Sequence, residues 1–286
     1  MHIVLFFVSC FLGLFFILYS EKVSIKWVRK SFKIYSLGFM VTALFAGYLY
    51  INQHKAVFST FSDKMFNTAT VTKAAGAPDT MLSPLTIRES VRLSAPQINQ
   101  LPELPRGCEV TSLAMLLQYS GIEVTKSELA NQVPRDNTHY RKTKEGTFFG
   151  NPHKGFVGDM YSYNTPGYGV YHGPIAQLAA QYVGVERVHD FSGENFSQII
   201  DQLNQNRPVW VIINAEYREL PEDQFTTWQT EDGPIQITMK EHSVLVTGYD
   251  EKFIYFNDPL NRTDKAPIND FKEAWIQMGK QAITVF

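Results

Sequence analysis

Cysteine is scarce in this chain, which has two among its 286 residues. Cys10 lies within an apolar run near the N-terminus, and Cys108 lies in the more polar remainder. No disulfide framework can therefore stabilise the C-terminal part. A free cysteine is often a small buried hydrophobe, but an unpaired thiol is also a candidate nucleophile.

An excess of either charge is also missing. The chain has 26 basic and 28 acidic residues, a formal net charge of -2, and its basic residues form no stripe after residue 60. A nucleic-acid partner is therefore not expected. The phosphate-binding pattern G-x-x-x-x-G-K-[ST] does not occur, so ATP is not expected either.

The histidines lack a compact metal-ligand spacing. His139, His153 and His172 lie near Asp136 and Asp159 in the sequence, but they form no pattern such as H-E-x-x-H. We expect neither a metal nor another cofactor.

Two runs near the N-terminus lack charge altogether. They are residues 3–19, IVLFFVSCFLGLFFILY, and residues 34–51, IYSLGFMVTALFAGYLYI. As helices, both could cross the ~30 Å hydrocarbon layer of a bilayer. Only His2 precedes the first run, whereas a cleaved signal peptide needs a basic leading region. Residues 1–54 are therefore predicted to be a membrane anchor with two transmembrane helices in contact with lipid.

The predicted loop between these runs is basic. Its five basic residues outnumber the single acidic Glu21; they are Lys22, Lys26, Arg29, Lys30 and Lys33. The positive-inside bias makes this loop cytoplasmic, and two crossings then place the rest of the chain on the extracytoplasmic side of a cell membrane. Residues 55–85 are poor in large apolar residues and are predicted to be a tether. Residues 86–286 form the predicted soluble domain.

Apolar residues in this domain follow two different periods. The spacing i, i+3, i+4, i+7 predicts amphipathic helices at 110–117, 175–182, 196–203 and 271–278. Thr125 and Glu128 have capping-box spacing and predict a short helix at 126–132. Apolar runs predict strands at 208–214, 242–249, 253–256 and 282–286. This order of elements favours an α+β fold.

The segment 137–173 is rich in Gly, Tyr, Asn and Pro and shows little period. It is too long for a simple connector, and long loops in compact domains are often functional. Tyr168, Tyr171 and His172 are candidates for the wall of a substrate groove. Ordinary packing of aromatic side chains over the sheet is the alternative.

Cys108 is predicted in the first turn of the first helix of the domain. Free backbone N–H groups and the positive helix end would favour its thiolate there. A thiolate nucleophile also needs a base. His242 begins the most apolar strand, and Asp258 ends the next one. A turn at Tyr249–Lys252 would place Ser243 opposite Asp258, and a bulge or a three-residue loop would align His242 with it. A surface ion pair is the alternative.

A cysteine at a helix start, followed by His and Asp across one hairpin, resembles the papain-fold peptidases related to bacteriocin-leader processing. Their stand-alone bacterial relatives, the C39-like group, are more similar. The resemblance covers about residues 95–286 and rests on PELPRGCEVTSLAMLLQYSGI, FVGDMYSYNTPGYGVYHGPIAQLAAQY, HSVLVTGYD and IYFNDPL. It implies a papain-like fold with a nucleophile-bearing helix on a small antiparallel sheet. It also implies a Cys108–His242–Asp258 triad that hydrolyses peptide or amide bonds through an acyl-enzyme, without a metal.

The same resemblance implies an oxyanion-binding glutamine upstream of the cysteine. Gln100 is the candidate, although it precedes Cys108 by more than the interval usual in that family, and a surface glutamine is the alternative. The chain lacks the transporter and ATPase of leader-processing enzymes, so a peptide or cell-wall-type amide is the expected substrate. A noncatalytic peptide- or cell-wall-binding module and a transamidase remain alternatives.

Overall fold

The structure is a computed structural model that describes residues 88–286 throughout, the helix Lys26–Gln53, and residues 11, 12, 15, 16, 18 and 19. The chain divides into two compact units, Met1–Met81 and Leu82–Phe286. The predicted tether, residues 55–85, and most of the first predicted membrane span, residues 3–19, lie outside the described residues.

Helix α1 spans Lys26–Gln53 and contains the second predicted membrane span, residues 34–51. In the part of the chain that the structure describes, no helix has both the length and the apolar composition needed to cross a membrane. The two predicted transmembrane helices are therefore not supported. The predicted basic loop is wrong from Lys26 onward, because Lys26 to Lys33 continue the helix.

The helices of the second unit are the five that the sequence predicts, and these predictions are confirmed. They are α2 (Cys108–Tyr119), α3 (Lys126–Gln132), α4 (His172–Val183), α5 (Ser197–Asn204) and α6 (Ile268–Gln277), with 3₁₀ turns at Val185–Arg187 and Glu222–Gln224. The capping box of α3 shows why short sequence signals suffice here. The Glu128 N–H donates to Thr125 Oγ at 3.1 Å, and the Thr125 N–H donates to Glu128 Oε2 at 2.7 Å.

The strands of this unit are β1 (Val91–Arg92), β2 (Arg135–Asp136), β3 (Arg141–Thr143), β4 (Gly146–Phe148), β5 (Phe156–Val157), β6 (Val188–Asp190), β7 (Val209–Asn214), β8 (Thr226–Thr230), β9 (Gly233–Ile237), β10 (Glu241–Tyr249), β11 (Phe253–Asn257), β12 (Lys265–Pro267) and β13 (Ala282–Val285). Seven strands form an antiparallel sheet in the order β12-β11-β10-β7-β13-β6, and β1 pairs with β10. The four predicted strands are β7, β10, β11 and β13, so they are confirmed and lie together in this sheet.

A second sheet, β3-β4-β8-β9, has no counterpart among the predicted strands. All of β3 is exposed, and β8 and β9 each have one fully buried residue, Trp228 and Ile237 respectively. Neither a continuous apolar run nor a clear alternation marks such strands in the sequence. Strands β3 and β4 also show that the segment 137–173 is partly ordered by sheet pairing.

The main sheet carries helices on both of its faces. One face packs on α2, α3 and α4 through residues that include Trp210, Ile212 and Leu245. The other face packs on α5 and α6 through residues that include Val211 and Val244. Successive side chains of a strand point to opposite faces. The position of a residue in β10 therefore decides which helical layer its side chain meets.

Two buried hydrogen bonds fix α2 on the first face. Trp210 Nε1–H donates to the Glu109 carbonyl at 2.9 Å, and Ser112 Oγ donates to the Ser243 carbonyl at 3.1 Å. Because α2 begins at Cys108, these bonds hold the first two turns of the helix against β7 and the beginning of β10.

Candidate active site

The Cys108 thiol lies in a buried, acidic environment. Cys108 is 6% exposed, its thiol donates to Glu109 Oε2 at 3.3 Å, and it lies against the Ser243 backbone. Burial raises the pKa of the thiol well above its usual range, and the Glu109 and Glu241 carboxylates raise it further. The expectation that the helix start ionises this thiol is therefore wrong for the free protein. Lost hydration and two acidic neighbours outweigh the helix dipole.

Two glutamates that the sequence analysis missed surround the thiol. Cys108 Sγ and the carboxylates of Glu109 and Glu241 all lie within 4.8 Å of one another, so these three side chains could hold a metal ion. Burial raises the pKa of Glu109 to about 7. Burial also raises the pKa of Glu241 well above its usual value, and the Glu109 charge adds to this effect. Their sequence positions were a usable signal, because Glu109 follows Cys108 and Glu241 precedes His242.

Gly169 covers this acid pair, by which we mean Glu109 and Glu241. A Cβ at Gly169 would lie 2.3 Å from Glu109 Oε1 and 2.8 Å from Glu241 Oε2, so a side chain would displace one or both carboxylates. The next residue, Val170, donates its N–H to Glu109 Oε1 at 2.7 Å. The 169–170 backbone therefore encloses the acid pair on one side.

His242 and Asp258 form a second buried cluster. His242 Nε2 and Asp258 Oδ1 are 2.7 Å apart, and both side chains are almost wholly buried. Burial lowers the pKa of His242 below its usual value, although Asp258 opposes this shift. Burial would raise the pKa of Asp258, but His242 and the N–H groups of Leu260 and Arg262 hold it well below its usual range. An ionised carboxylate only accepts, so Nε2 carries the proton of neutral His242 and Nδ1 has the free lone pair.

Asp258 is also bound by donors on its other oxygen. Oδ2 accepts from Tyr217 Oη at 2.9 Å, from the Arg262 N–H at 3.1 Å and from Arg262 Nε at 3.2 Å. Arg262 Nη2 donates in turn to Tyr217 Oη at 3.0 Å. The sequence analysis missed both residues. Arg262 lies four positions after Asp258, which was a possible signal, whereas Tyr217 gives no local one.

The hairpin register differs from the predicted one. Leu245 lies opposite Asn257 and Val246 opposite Phe256, and a bulge follows before Gly248 pairs with Tyr255. The turn closes one residue later than predicted, where the Asp250 N–H donates to the Phe253 carbonyl at 3.0 Å. Continued by one position, this register sets Val244 opposite Asp258, so Asp258 shares the face of His242 rather than that of Ser243.

The two clusters lie on different sides of β10. Glu241 and Ser243 face the layer that contains α2, whereas the His242 ring lies near Tyr217, with ring centroids 6.2 Å apart. Cys108 Sγ is hydrogen bonded to Glu109, and the His242 ring is hydrogen bonded to Asp258. Among residues 88–286, no side-chain hydrogen bond joins Cys108 to His242. The thiol nevertheless contacts the backbone of Ser243, the residue that follows His242.

Gln100 has no free amide hydrogen in this structure. Its Nε2 donates to the Leu104 carbonyl at 3.1 Å and to the Pro105 carbonyl at 2.9 Å, while its Oε1 is buried without a partner. Gln100 therefore shapes the turn before Cys108. It could donate to an oxyanion only after releasing one of these carbonyls.

The predicted groove residues occupy two different environments. Tyr168 and Tyr171 are each 6% exposed, their hydroxyls are 2.9 Å apart, and both belong to the core, so they offer little surface to a substrate. His172 is half-exposed, and its Nδ1 lies 2.6 Å from Asp190 Oδ2. With His153, Tyr171 and Thr238, it lines a cavity of about 210 Å³.

The raised pKa of Glu109 predicts a pH-dependent contribution to stability. Its pKa is about 7 in the folded chain and about 4.5 in the unfolded chain, so the folded chain binds more protons between these values. The stabilisation by this group is complete below pH ~4.5 and is lost as the pH rises through ~7. Relative to the wild type, Glu109→Gln should therefore gain up to about 3 kcal/mol of unfolding free energy across this interval.

Denaturant unfolding at a series of pH values measures this difference. Glu194→Gln, at an exposed turn position, is the matched control. Curves for the wild type and Glu109→Gln that run parallel from pH ~4.5 to ~7 would show that Glu109 does not bind this proton.

Comparison with known proteins assigns the chain to a family. The model of the Peptidase_C39 like family matches residues 92–283. YvpB of Bacillus subtilis (strain 168), which is uncharacterised, is 48% identical over 185 residues, 64% of this chain and 70% of YvpB. A crystal structure of a protein assigned to the C39-like peptidases of Bacillus anthracis matches with a TM-score of 0.63 and 44% identity, over 70% of this chain and 98% of that one. Because the family match covers residues 92–283, well over half of the chain, this protein belongs to the C39-like peptidase family.

Proposed function

We propose that this protein is a cysteine hydrolase of papain-like fold, a peptidase or amidase, with Cys108 as nucleophile, His242 as base and Asp258 as orienter. The observation that carries this proposal is the buried 2.7 Å bond between His242 Nε2 and Asp258 Oδ1. It fixes the tautomer whose second nitrogen is free to accept a proton, as a general base requires. Membership of the C39-like peptidases supports a peptide substrate.

The proposed reaction begins when the Cys108 thiol releases Glu109 and moves past the Ser243 backbone to the His242 side of β10, where His242 Nδ1 accepts its proton. The thiolate attacks the amide carbonyl carbon, and free N–H groups of the first turn of α2 stabilise the resulting oxyanion. His242 returns the proton to the leaving amine, and the acyl group stays on sulfur. A water molecule deprotonated by His242 then releases the acid and restores the thiol.

A noncatalytic module that binds a peptide or cell-wall fragment is the second candidate. One observation favours it, since the Cys108 thiol is buried and hydrogen bonded to a carboxylate, which keeps it neutral in the free protein. A transamidase would form the same acyl-enzyme and differ only in the group that accepts the acyl chain. An added primary amine would then appear in the product.

Turnover of a mixed peptide library and of cell-wall stem peptides, followed by mass spectrometry, tests the hydrolase. Cys108→Ala should abolish product formation, and His242→Ala should lower the rate by ~10²–10⁴-fold, the usual contribution of a general base. His139→Ala, at an exposed position, is the matched control and should keep the wild-type rate. Equal product formation by the wild type and Cys108→Ala would reject Cys108 as the nucleophile. Binding of these peptides without any product would favour the noncatalytic module.

The donors on Asp258 predict that asparagine cannot replace it. The side-chain amide introduced by Asp258→Asn has only one oxygen. If that oxygen accepts from His242, the amide N–H groups face the Tyr217 and Arg262 donors; if it accepts from those donors, the N–H groups face the His242 N–H. We expect a loss of about 1–3 kcal/mol of unfolding free energy and at least ~10-fold in turnover. Arg262→Gln should reduce both losses, because its side-chain oxygen can accept from the new amide.

A double-mutant cycle on positions 258 and 262 measures this coupling. The expected interaction energy is about 1–3 kcal/mol. Asp264→Asn, at an exposed position of the same hairpin, is the control and should be close to neutral. Additive effects of Asp258→Asn and Arg262→Gln would contradict the proposed coupling.

We also propose that the hydrolase domain lies on the extracytoplasmic side of a membrane. The support is the sequence alone, namely the two charge-free runs and the basic residues between them. A reporter fused after Ser90 of the chain should show the activity of an exported protein. Activity typical of the cytoplasm would contradict this location.

A further inference from the structure

The acid pair, Glu109 and Glu241, lies beside the candidate nucleophile without a countercharge. Within residues 88–286, no basic side chain forms an ion pair with either carboxylate. Two carboxylates that share a buried site cannot both ionise without compensation. Asp258 provides the contrast in the same domain, because Arg262 compensates its charge and neutral His242 donates a hydrogen bond to it.

Two oxygen atoms on the same face of β10 are buried and have no hydrogen-bond partner. They are Glu241 Oε1 and Ser243 Oγ. Ser243 is 0% exposed, shares a strand face with Glu241, and contacts the Cys108 thiol through its backbone. Buried polar groups are nearly always hydrogen bonded, so Glu241 Oε1 and Ser243 Oγ are available to accept hydrogen bonds from a ligand. Glu241 as a whole is half-buried, and its Oε1 is buried.

We propose that the acid pair binds a positively charged group of the substrate, an ammonium or guanidinium next to the amide that is cleaved. The inference rests on the proposed role of Cys108 as nucleophile and names the substrate class of that site. An ammonium has three donors and no acceptor, which suits Glu241 Oε1 and Ser243 Oγ. Its charge would compensate the two carboxylates. Because both carboxylates lie within 4.8 Å of Sγ, the cation would sit close to the attacked carbonyl.

Such a substrate would also prepare the nucleophile. In the free protein the two carboxylates raise the pKa of the Cys108 thiol. A cation bound between them offsets their charges and lowers that pKa, because the potential at sulfur becomes less negative. Substrate binding would therefore favour transfer of the thiol proton to His242. Without substrate the thiol stays neutral, a form that resists oxidation.

Charged thiol reagents test this site without a known substrate. The rates of modification of Cys108 in the full chain are measured with 2-aminoethyl methanethiosulfonate, which is cationic, and with its anionic 2-sulfonatoethyl analogue. Mass spectrometry of the peptide that contains Cys108 excludes any signal from Cys10. The ratio of the cationic to the anionic rate removes the effect of thiol ionisation, which is common to both reagents.

Measured above pH ~7, where the acid pair carries at least one charge, this ratio should be at least ~10-fold higher in the wild type than in the double variant Glu109→Gln/Glu241→Gln, because a buried charge close to sulfur acts on both reagents in opposite directions. Glu194→Gln, the exposed control, should keep the wild-type ratio. Glu109→Gln alone is the second variant and should also lower the ratio, which covers the case in which the double variant does not fold. Equal ratios in the wild type and the folded double variant, or in the wild type and Glu109→Gln where only that variant folds, would overturn the cation site.

A metal ion is the competing occupant of the acid pair. If Cys108 of the wild type reacted with either reagent only after treatment with a chelator, a metal would hold these side chains and the proposal would fail.

Peptide turnover separates this inference from the proposed function. Product formation that needs Cys108 but shows no preference for lysine or arginine beside the cleaved bond would overturn the cation site alone. Turnover independent of Cys108 would overturn the nucleophile, whereas the reagent ratio would still test the electrostatics.

Discussion

The alternation of side chains along β10 is the constraint on which the candidate site depends. Glu241 and Ser243 face α2 and the Cys108 thiol, whereas His242, between them in sequence, faces Tyr217 and Asp258. A strand cannot turn neighbouring side chains to one face without a break in its pairing. The proposed nucleophile and its proposed base therefore belong to two separate hydrogen-bond networks that meet at the Ser243 backbone.

Burial affects the carboxylates of these two networks in opposite ways. Asp258 accepts from His242, Tyr217, Leu260 and Arg262, and these donors keep its pKa low although its side chain is buried. Glu109 accepts from uncharged donors, backbone N–H groups and a thiol, and burial raises its pKa to about 7. The number and charge of the donors thus decide which carboxylate is ionised. One network is built to hold a negative charge, and the other has room for a cation or a proton.

The sequence predicts the parts of the fold that depend on local pattern. The five helices and the four central strands have clear periods or caps. A bulge in β10 was foreseen as a way to align His242 directly with Asp258, but the observed register sets Val244 opposite Asp258 and places His242 on the same face. The second sheet could not be predicted, because β3 is fully exposed and β8 and β9 are mostly polar. The acid pair, Tyr217 and the engaged amide of Gln100 depend on contacts between distant segments. The ionisation of Cys108 depends on burial, which its position at a helix start does not specify.

The Cys108 thiol is neutral in the free protein, whereas papain-like enzymes of the usual kind hold their cysteine as a thiolate before the substrate binds. There the charge of the nucleophile is balanced before the substrate arrives, whereas here two carboxylates next to sulfur oppose ionisation. In the proposed reaction, removing the proton requires a change in the electrostatic potential at Cys108, and the proposed cationic substrate would supply that change. The position of the acid pair between α2 and the covering Gly169 backbone fits this requirement, because a group bound there would lie beside both the sulfur and the carbonyl that it attacks. The selection of a cationic substrate and the activation of the Cys108 thiol would then have the same cause, because both depend on the substrate cation compensating the negative charge of the acid pair.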